Sequence, residues 1–161
     1  STVDLLEKYD NLIVIKAFTK IFAMPGLRLG YCMCSNEKLI KKLKSAGPPW
    51  NVSTVAQAAG VAAVKEQGYL EETISYVKEQ RNYLFNELKN LGIKAFDSYA
   101  NYILLKTDAV DLKEQMLKRK ILIRNCGDYV NLGKEYFRIA VRTKEENKIF
   151  IDRLKEIMVK R

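Results

Sequence analysis

At Gly92 the spacing of apolar residues changes. Before it, Leu70, Ile74, Val77, Leu84, Leu88 and Leu91 recur at helical intervals, so one long helix is predicted over 69–91. Gly92 stops it at the position where a left-handed residue ends helices. Arg81 interrupts the stripe. About three heptads with a charge in the seam suit an amphipathic helix on a core better than a coiled coil. After Gly92, short apolar strands are predicted at 93–97, 101–106, 121–125 and 136–142, with helices at 110–119 and 143–160. Thr143-Lys144-Glu145-Glu146 reads as a capping box for the last helix. Residues 93–161 therefore read as a small α/β unit.

The region before the long helix differs. LIVIKAF at 12–18 and LRLGYCMC at 27–34 read as strands, joined by a loop with Pro25-Gly26 turn chemistry. Ser35 is placed to cap a helix through about residue 45, with Leu39, Ile40 and Leu43 on one face. Gly47-Pro48-Pro49 ends it. Residues 53–66 form a small-residue helix, where Ala59, Gly60 and Ala63 predict close packing on a neighbour. Two strands cannot close a layered core, so this half is expected to need a partner segment. The opening STVDLLEKYD has no initiator Met and no secretory pattern, and the chain is expected to be part of a longer one. There is no internal repeat.

Composition narrows the function. The net charge is +9, but Lys and Glu are mixed, as in VKEQRN and TKEENK, without an arginine-rich tract. That argues against nucleic acid and for anionic ligands. No apolar run approaches the roughly 18 residues of a membrane span, and a cytoplasmic location is expected. Three cysteines without histidine cannot build a zinc site, and no metal is expected. The thiols are expected to be reduced and buried. Without histidine, Ser-His and Cys-His nucleophile systems are excluded. Acid–base chemistry must rest on Lys, Tyr or a carboxylate.

AFTKIFAMPGLRLGY, 17–31, carries the chemistry. Lys20 has apolar neighbours in Phe18, Ile21 and Phe22. An amine in apolar surroundings loses stabilisation of its charge and becomes a candidate Schiff-base nucleophile. Arg28 offers a planar fork for an anion, phosphate above all, and Thr19 adds a hydroxyl. Together they describe a site for a phosphorylated carbonyl compound held near an amine. The plainer alternative is a pair of solvated surface charges.

This segment resembles the lysine motif of fold type I pyridoxal-phosphate enzymes, the class I/II aminotransferase family. That pattern is roughly Ser-x-[Ser/Thr]-Lys, then an aromatic and Pro/Ala-Gly, then Leu-Arg-x-Gly-Tyr. The resemblance covers essentially the whole chain, as the C-terminal portion of a longer one. It is strongest to threonine-phosphate decarboxylases of cobalamin biosynthesis, with histidinol-phosphate aminotransferases of histidine biosynthesis close behind. It implies an α/β fold: a remnant of the large-domain sheet with helices over 1–68, a long linking helix over 69–92, and a small α/β domain over 93–161. It also implies that Lys20 joins pyridoxal 5'-phosphate covalently and is catalytic, and that Thr19 and Arg28 hold the cofactor phosphate. Ala17 departs from the motif, where a serine is usual. By the same resemblance, Arg138 in YFRIAVRT grips the substrate carboxylate, and Arg124 in ILIRNC holds a substrate phosphate. Asn101 lies near the substrate pocket, and Arg142 assists Arg138 or pairs with a carboxylate. IRNC followed by Tyr129 and Leu132-Gly133 favours the decarboxylase.

Each residue also has a structural reading. Arg138 and Arg124 could be strand-face salt-bridge residues, Asn101 could satisfy backbone groups in a turn, and Tyr31 and Trp50 suit packing. The family's glycine-rich phosphate loop, ring-stacking aromatic and pyridine-nitrogen aspartate lie upstream of the lysine, where this chain has only residues 1–19. The chain alone is therefore expected to be inactive or nearly so. The parent is expected to be a homodimer acting on a small phosphorylated amino acid or amine. The rival from another class is a non-catalytic basic module binding acidic partners.

Overall fold

The computed structural model describes residues 2–159. The chain divides into two units, Ser1–Thr73 and Ile74–Arg161, with the boundary inside the longest helix.

In the first unit the two apolar runs form strands β1 (Val14–Ala17) and β2 (Gly30–Met33). They pair antiparallel, Val14 opposite Met33 and Ala17 opposite Gly30. Between them lie a single helical turn, α1 (Phe18–Ile21), and a 3-10 turn at Pro25–Leu27. Helix α2 (Glu37–Ala46) starts one residue later than the sequence suggests. Asn36, not Ser35, is its cap. Its extended backbone lets Oδ1 accept from both Lys38 N at 3.0 Å and Leu39 N at 3.2 Å. Helix α3 (Thr54–Lys65) is capped by Ser53, whose Oγ accepts from Ala56 N at 3.2 Å. It buries Ala56 and Gly60, and Gly60 is there for contact: a Cβ would stand 2.6 Å from Leu29 Cδ2.

Helix α4 (Gln67–Asn90) runs across the boundary and stops where Gly92 adopts φ +71°. The second unit holds a four-stranded antiparallel sheet of β3 (Lys94–Ala95), β4 (Tyr102–Lys106), β5 (Arg124–Asn125) and β6 (Tyr136–Ala140), in the order β3-β4-β6-β5. Helices α5 (Leu112–Lys118) and α6 (Lys144–Val159) complete it. Strand alternation decides which side is the core. Ile103 and Leu105 of β4, with Phe137 and Ile139 of β6, turn inward to meet Leu84 and Leu88 of α4, Leu112 and Met116 of α5, and Ile151 and Leu154 of α6. Only the later part of the α4 stripe, Leu84, Leu88 and Leu91, serves this core, and Ile74 is exposed. Arg81, on the edge of the stripe, donates to the Ala100 carbonyl at 3.0 Å.

Candidate functional site

The hairpin ladder of the first unit extends one step past its strands. Phe18 N donates to Leu29 O at 3.1 Å. Lys20 follows that bond by two residues on one arm, and Arg28 precedes it by one on the other. Both therefore belong to the same end of the β1–β2 hairpin. Two non-glycine residues of the connection are left-handed, Ala23 at φ 51° and Arg28 at φ 53°. Such backbone costs about 1–3 kcal/mol per residue and gathers at functional positions. Arg28 Nη1 donates to the Pro25 carbonyl at 3.2 Å, and the exposed guanidinium keeps its other N–H groups for a ligand. Thr19, beside Lys20, is half-buried.

The expectation of an apolar setting for Lys20 fails within this chain, where the side chain is exposed. The reason is helical geometry. Residues i and i+4 share a face, so Phe18 stacks on Phe22 with centroids 5.0 Å apart, and Lys20 at i+2 lies across the turn from them. The aromatic cluster continues to Tyr31, 6.1 Å from Phe18, and to Tyr69, 6.4 Å from Phe22. Trp50 packs on nothing here: it is 96% exposed, at φ 58°. The cysteines also divide. Cys126 is buried as expected, but Cys32 is exposed, because its strand belongs to a two-stranded sheet.

In the second unit the outward face of the sheet carries the arginines. Arg124 of β5 stands directly opposite Arg138 of β6, and both side chains are exposed. Arg138 lies over the Tyr102 ring, 5.1 Å from its centroid, and Arg124 over Tyr129 at 5.9 Å. Asp128 forms an ion pair with Arg124. Arg138 has no carboxylate partner among the described residues. Cys126, two residues after Arg124, is buried; burial pushes its thiol up, and Arg138 and Arg124 partly offset that.

Arg142 lies just beyond β6 and is engaged by Glu146, with Nη2 to Oε1 at 2.7 Å and Nε to Oε2 at 3.2 Å. That guanidinium holds Glu146 down at about 2, helped by the capping-box bonds from Thr143 N at 3.3 Å and Thr143 Oγ1 at 3.0 Å. Buried Asn147 fixes the same turn. Its Oδ1 accepts from Arg142 N at 3.0 Å, and its Nδ2 donates to Arg142 O at 2.9 Å and to Gln80 Oε1 at 3.1 Å. Arg142 also rims an apolar groove of about 470 Å³ with Leu122, Ile139 and Ile149. Asn101 extends the β4–β6 ladder, its carbonyl accepting from Val141 N at 2.9 Å.

The fold thus brings Thr19, Lys20 and Arg28 to one hairpin end, and Arg124 and Arg138 to one sheet face. Tyr102 and Asp128 were missed in the sequence. Alternation within β4 could have put Tyr102 on the outward face, but not beside Arg138, and the i,i+4 spacing from Arg124 could have flagged Asp128.

Residues 1–154 match the family model "Aminotransferase class I and II". Over 155 residues the chain is 41% identical to a protein of Caldanaerobacter subterraneus subsp. tengcongensis named as a threonine-phosphate decarboxylase, covering 94% of this chain and 42% of that one. A histidinol-phosphate aminotransferase of Methanosphaera stadtmanae is 32% identical, with 98% and 44% covered. Among solved structures, the histidinol-phosphate aminotransferase of Clostridium acetobutylicum superposes with a TM-score of 0.96 at 31% identity, over 100% of this chain and 50% of that one. The chain spans half or less of the length of these relatives.

Proposed function

The chain belongs to the class I and II aminotransferase family, and from that premise we propose that it is the lysine-bearing, C-terminal part of an enzyme acting on a phosphorylated amino acid or amine. The reaction we favour is decarboxylation of L-threonine O-3-phosphate in cobalamin biosynthesis. In this reading residues 1–68 are the end of the large domain, 69–92 link, and 93–161 are the small domain. The parent enzyme is a homodimer. One observation carries the proposal: the ladder bond from Phe18 N to Leu29 O sets an amine and a guanidinium at the same hairpin end.

Pyridoxal 5'-phosphate is the cofactor of this family. The donor set fits it. Lys20 offers an exposed primary amine for an aldehyde, and the Arg28 N–H groups that do not face Pro25 suit a phosphate. When bound, the cofactor supplies the electron sink that lets a bond at the substrate Cα break. The protein's part is binding, orientation and proton transfer. With substrate bound, the free Lys20 Nζ would take and return protons. Thr19 adds a hydroxyl donor beside Arg28. Arg138, over the Tyr102 ring, grips a carboxylate, and Arg124 takes the phosphate. Asn101 and Arg142 border the substrate. How Arg138 holds the carboxylate would orient the substrate Cα, and hence favour decarboxylation or amino transfer.

The test uses the parent-length protein. Borohydride should fix the cofactor to Lys20, and Lys20→Ala should abolish both that adduct and turnover. Attachment at another residue removes the reading. Threonine phosphate should release carbon dioxide. Amino transfer from histidinol phosphate to 2-oxoglutarate instead would establish the second reading, favoured by relatives such as that of M. stadtmanae.

A further inference from the structure

The outward face of the second unit's sheet places two like charges opposite one another. Arg124 and Arg138 are register partners on adjacent antiparallel strands. Directly opposed Cβ atoms stand about 4.5–5.5 Å apart, where like charges repel. Neither side chain is drawn away by burial, since both are exposed. One carboxylate, Asp128, answers two guanidinium groups, and it does so at Arg124.

Asp128 is held there by its turn. Gly127 N donates to Asn125 Oδ1 at 3.0 Å, Tyr129 N donates to Cys126 O at 3.0 Å, and Asn125 Nδ2 donates to Lys134 O at 2.7 Å. The ring that Arg124 covers, Tyr129, belongs to the same turn. A tethered carboxylate on a fixed backbone has a high effective concentration at its partner.

We propose that Asp128 is an internal competitor for Arg124, a tethered anion that weakens the hold of the arginine pair on a phosphorylated ligand. This rests on the reading of Arg124 and Arg138 as anion-binding residues. A ligand oxyanion and the Asp128 carboxylate would share the charge of one guanidinium, of which Asp128 engages Nη2. The competition raises the affinity threshold: a ligand that brings a phosphate to Arg124 and a carboxylate to Arg138 crosses it more readily than a monoanion held by one. It also leaves the arginine pair partly neutralised when no ligand is bound. Asp128 is thereby a specificity-determining residue, acting on the ligand through Arg124.

The test is a titration of the 161-residue chain with inorganic phosphate, followed by NMR of the arginine Nε–H signals. Arg124→Gln and Arg138→Gln identify the two resonances. Asp128→Asn keeps the shape of an exposed side chain, and unchanged signals from the Leu84 and Phe137 core report that the fold is intact. The expected result is that Asp128→Asn tightens phosphate binding about two- to fivefold, the range an exposed ion pair supports. Arg124→Gln should weaken it, and Asp128→Asn should have no effect in the Arg124→Gln background. Equal phosphate affinity in wild type and Asp128→Asn, with Arg124→Gln still weakening it, overturns the competition while leaving the anion site standing. If phosphate moves neither arginine signal in any variant, the anion site and the inference fall together.

Discussion

The units Ser1–Thr73 and Ile74–Arg161 are similar in length and opposite in interior. The second encloses a continuous core running from Leu84 and Leu88 through Phe137 to Leu154. The first buries Val14, Phe18 and Ala56 without a comparable cluster, although both units expose large apolar side chains, Trp50 at 96% in the first and Tyr99 at 99% in the second. The contrast follows from the number of layers each can stack. A four-stranded sheet with helices on one face closes a core, whereas a two-stranded hairpin with short helices does not. It also shows where the candidate chemistry stands. Lys20 and Arg28 belong to the unit with the sparse interior, while Arg124 and Arg138 stand on a sheet backed by the continuous core.

The sharpest way to break this comparison is to remove one large aromatic from each unit. Phe137→Ala should cost about 3–5 kcal/mol, because the ring is fully buried and the sheet is pinned on both sides of it. Trp50→Ala should change stability by less than about 0.5 kcal/mol. Chemical denaturation of both variants decides the matter, and equal losses would erase the distinction. Asn147→Ala comes next. It leaves the Gln80 carbonyl oxygen buried without its donor and frees both backbone groups of Arg142, for about 1–3 kcal/mol. Hydrogen exchange should show the loosening at the β6–α6 turn first, and a loss spread evenly over both units would contradict the local account.

A smaller effect depends on pH. Glu146 is held at about 2, against 4.5 for an unperturbed carboxyl, first by Arg142 and then by Thr143. A depressed folded value means that the stabilisation is complete above about pH 4.5 and is lost as pH falls towards 2. The gap in thermal midpoint between wild type and Glu146→Gln should therefore be widest near neutral pH and close on acidification. A gap that persists at pH 2 would assign the effect elsewhere. The smallest perturbation is thiol labelling. Exposed Cys32 should react with iodoacetamide before buried Cys126, whose thiol is pushed up by burial, and the reverse order would contradict the burial pattern of both units.

Much of this was legible in the sequence because it is local. The end of α4 at Gly92, the Thr143–Glu146 capping box and the alternation of β4 and β6 each depend on residues within a few positions of one another. The motif around Lys20 and Arg28 is local too. The errors arose where a neighbour in sequence is not a neighbour in space. Phe18 and Phe22 flank Lys20 along the chain yet turn their rings to each other across the helical turn, and so leave the amine exposed.

Periodicity, caps and one lysine–arginine segment were enough to give the elements, the change of architecture at Gly92 and the family. Register and burial were settled only by folding. Setting Arg124 opposite Arg138 required a strand pairing between residues 14 positions apart, and joining Gln80 to Asn147 required a helix and a turn 67 positions apart to share one interior. Periodicity records which way a side chain points along its own element. Which partner it meets depends on how elements stack, and that is fixed by the collective burial of apolar surface.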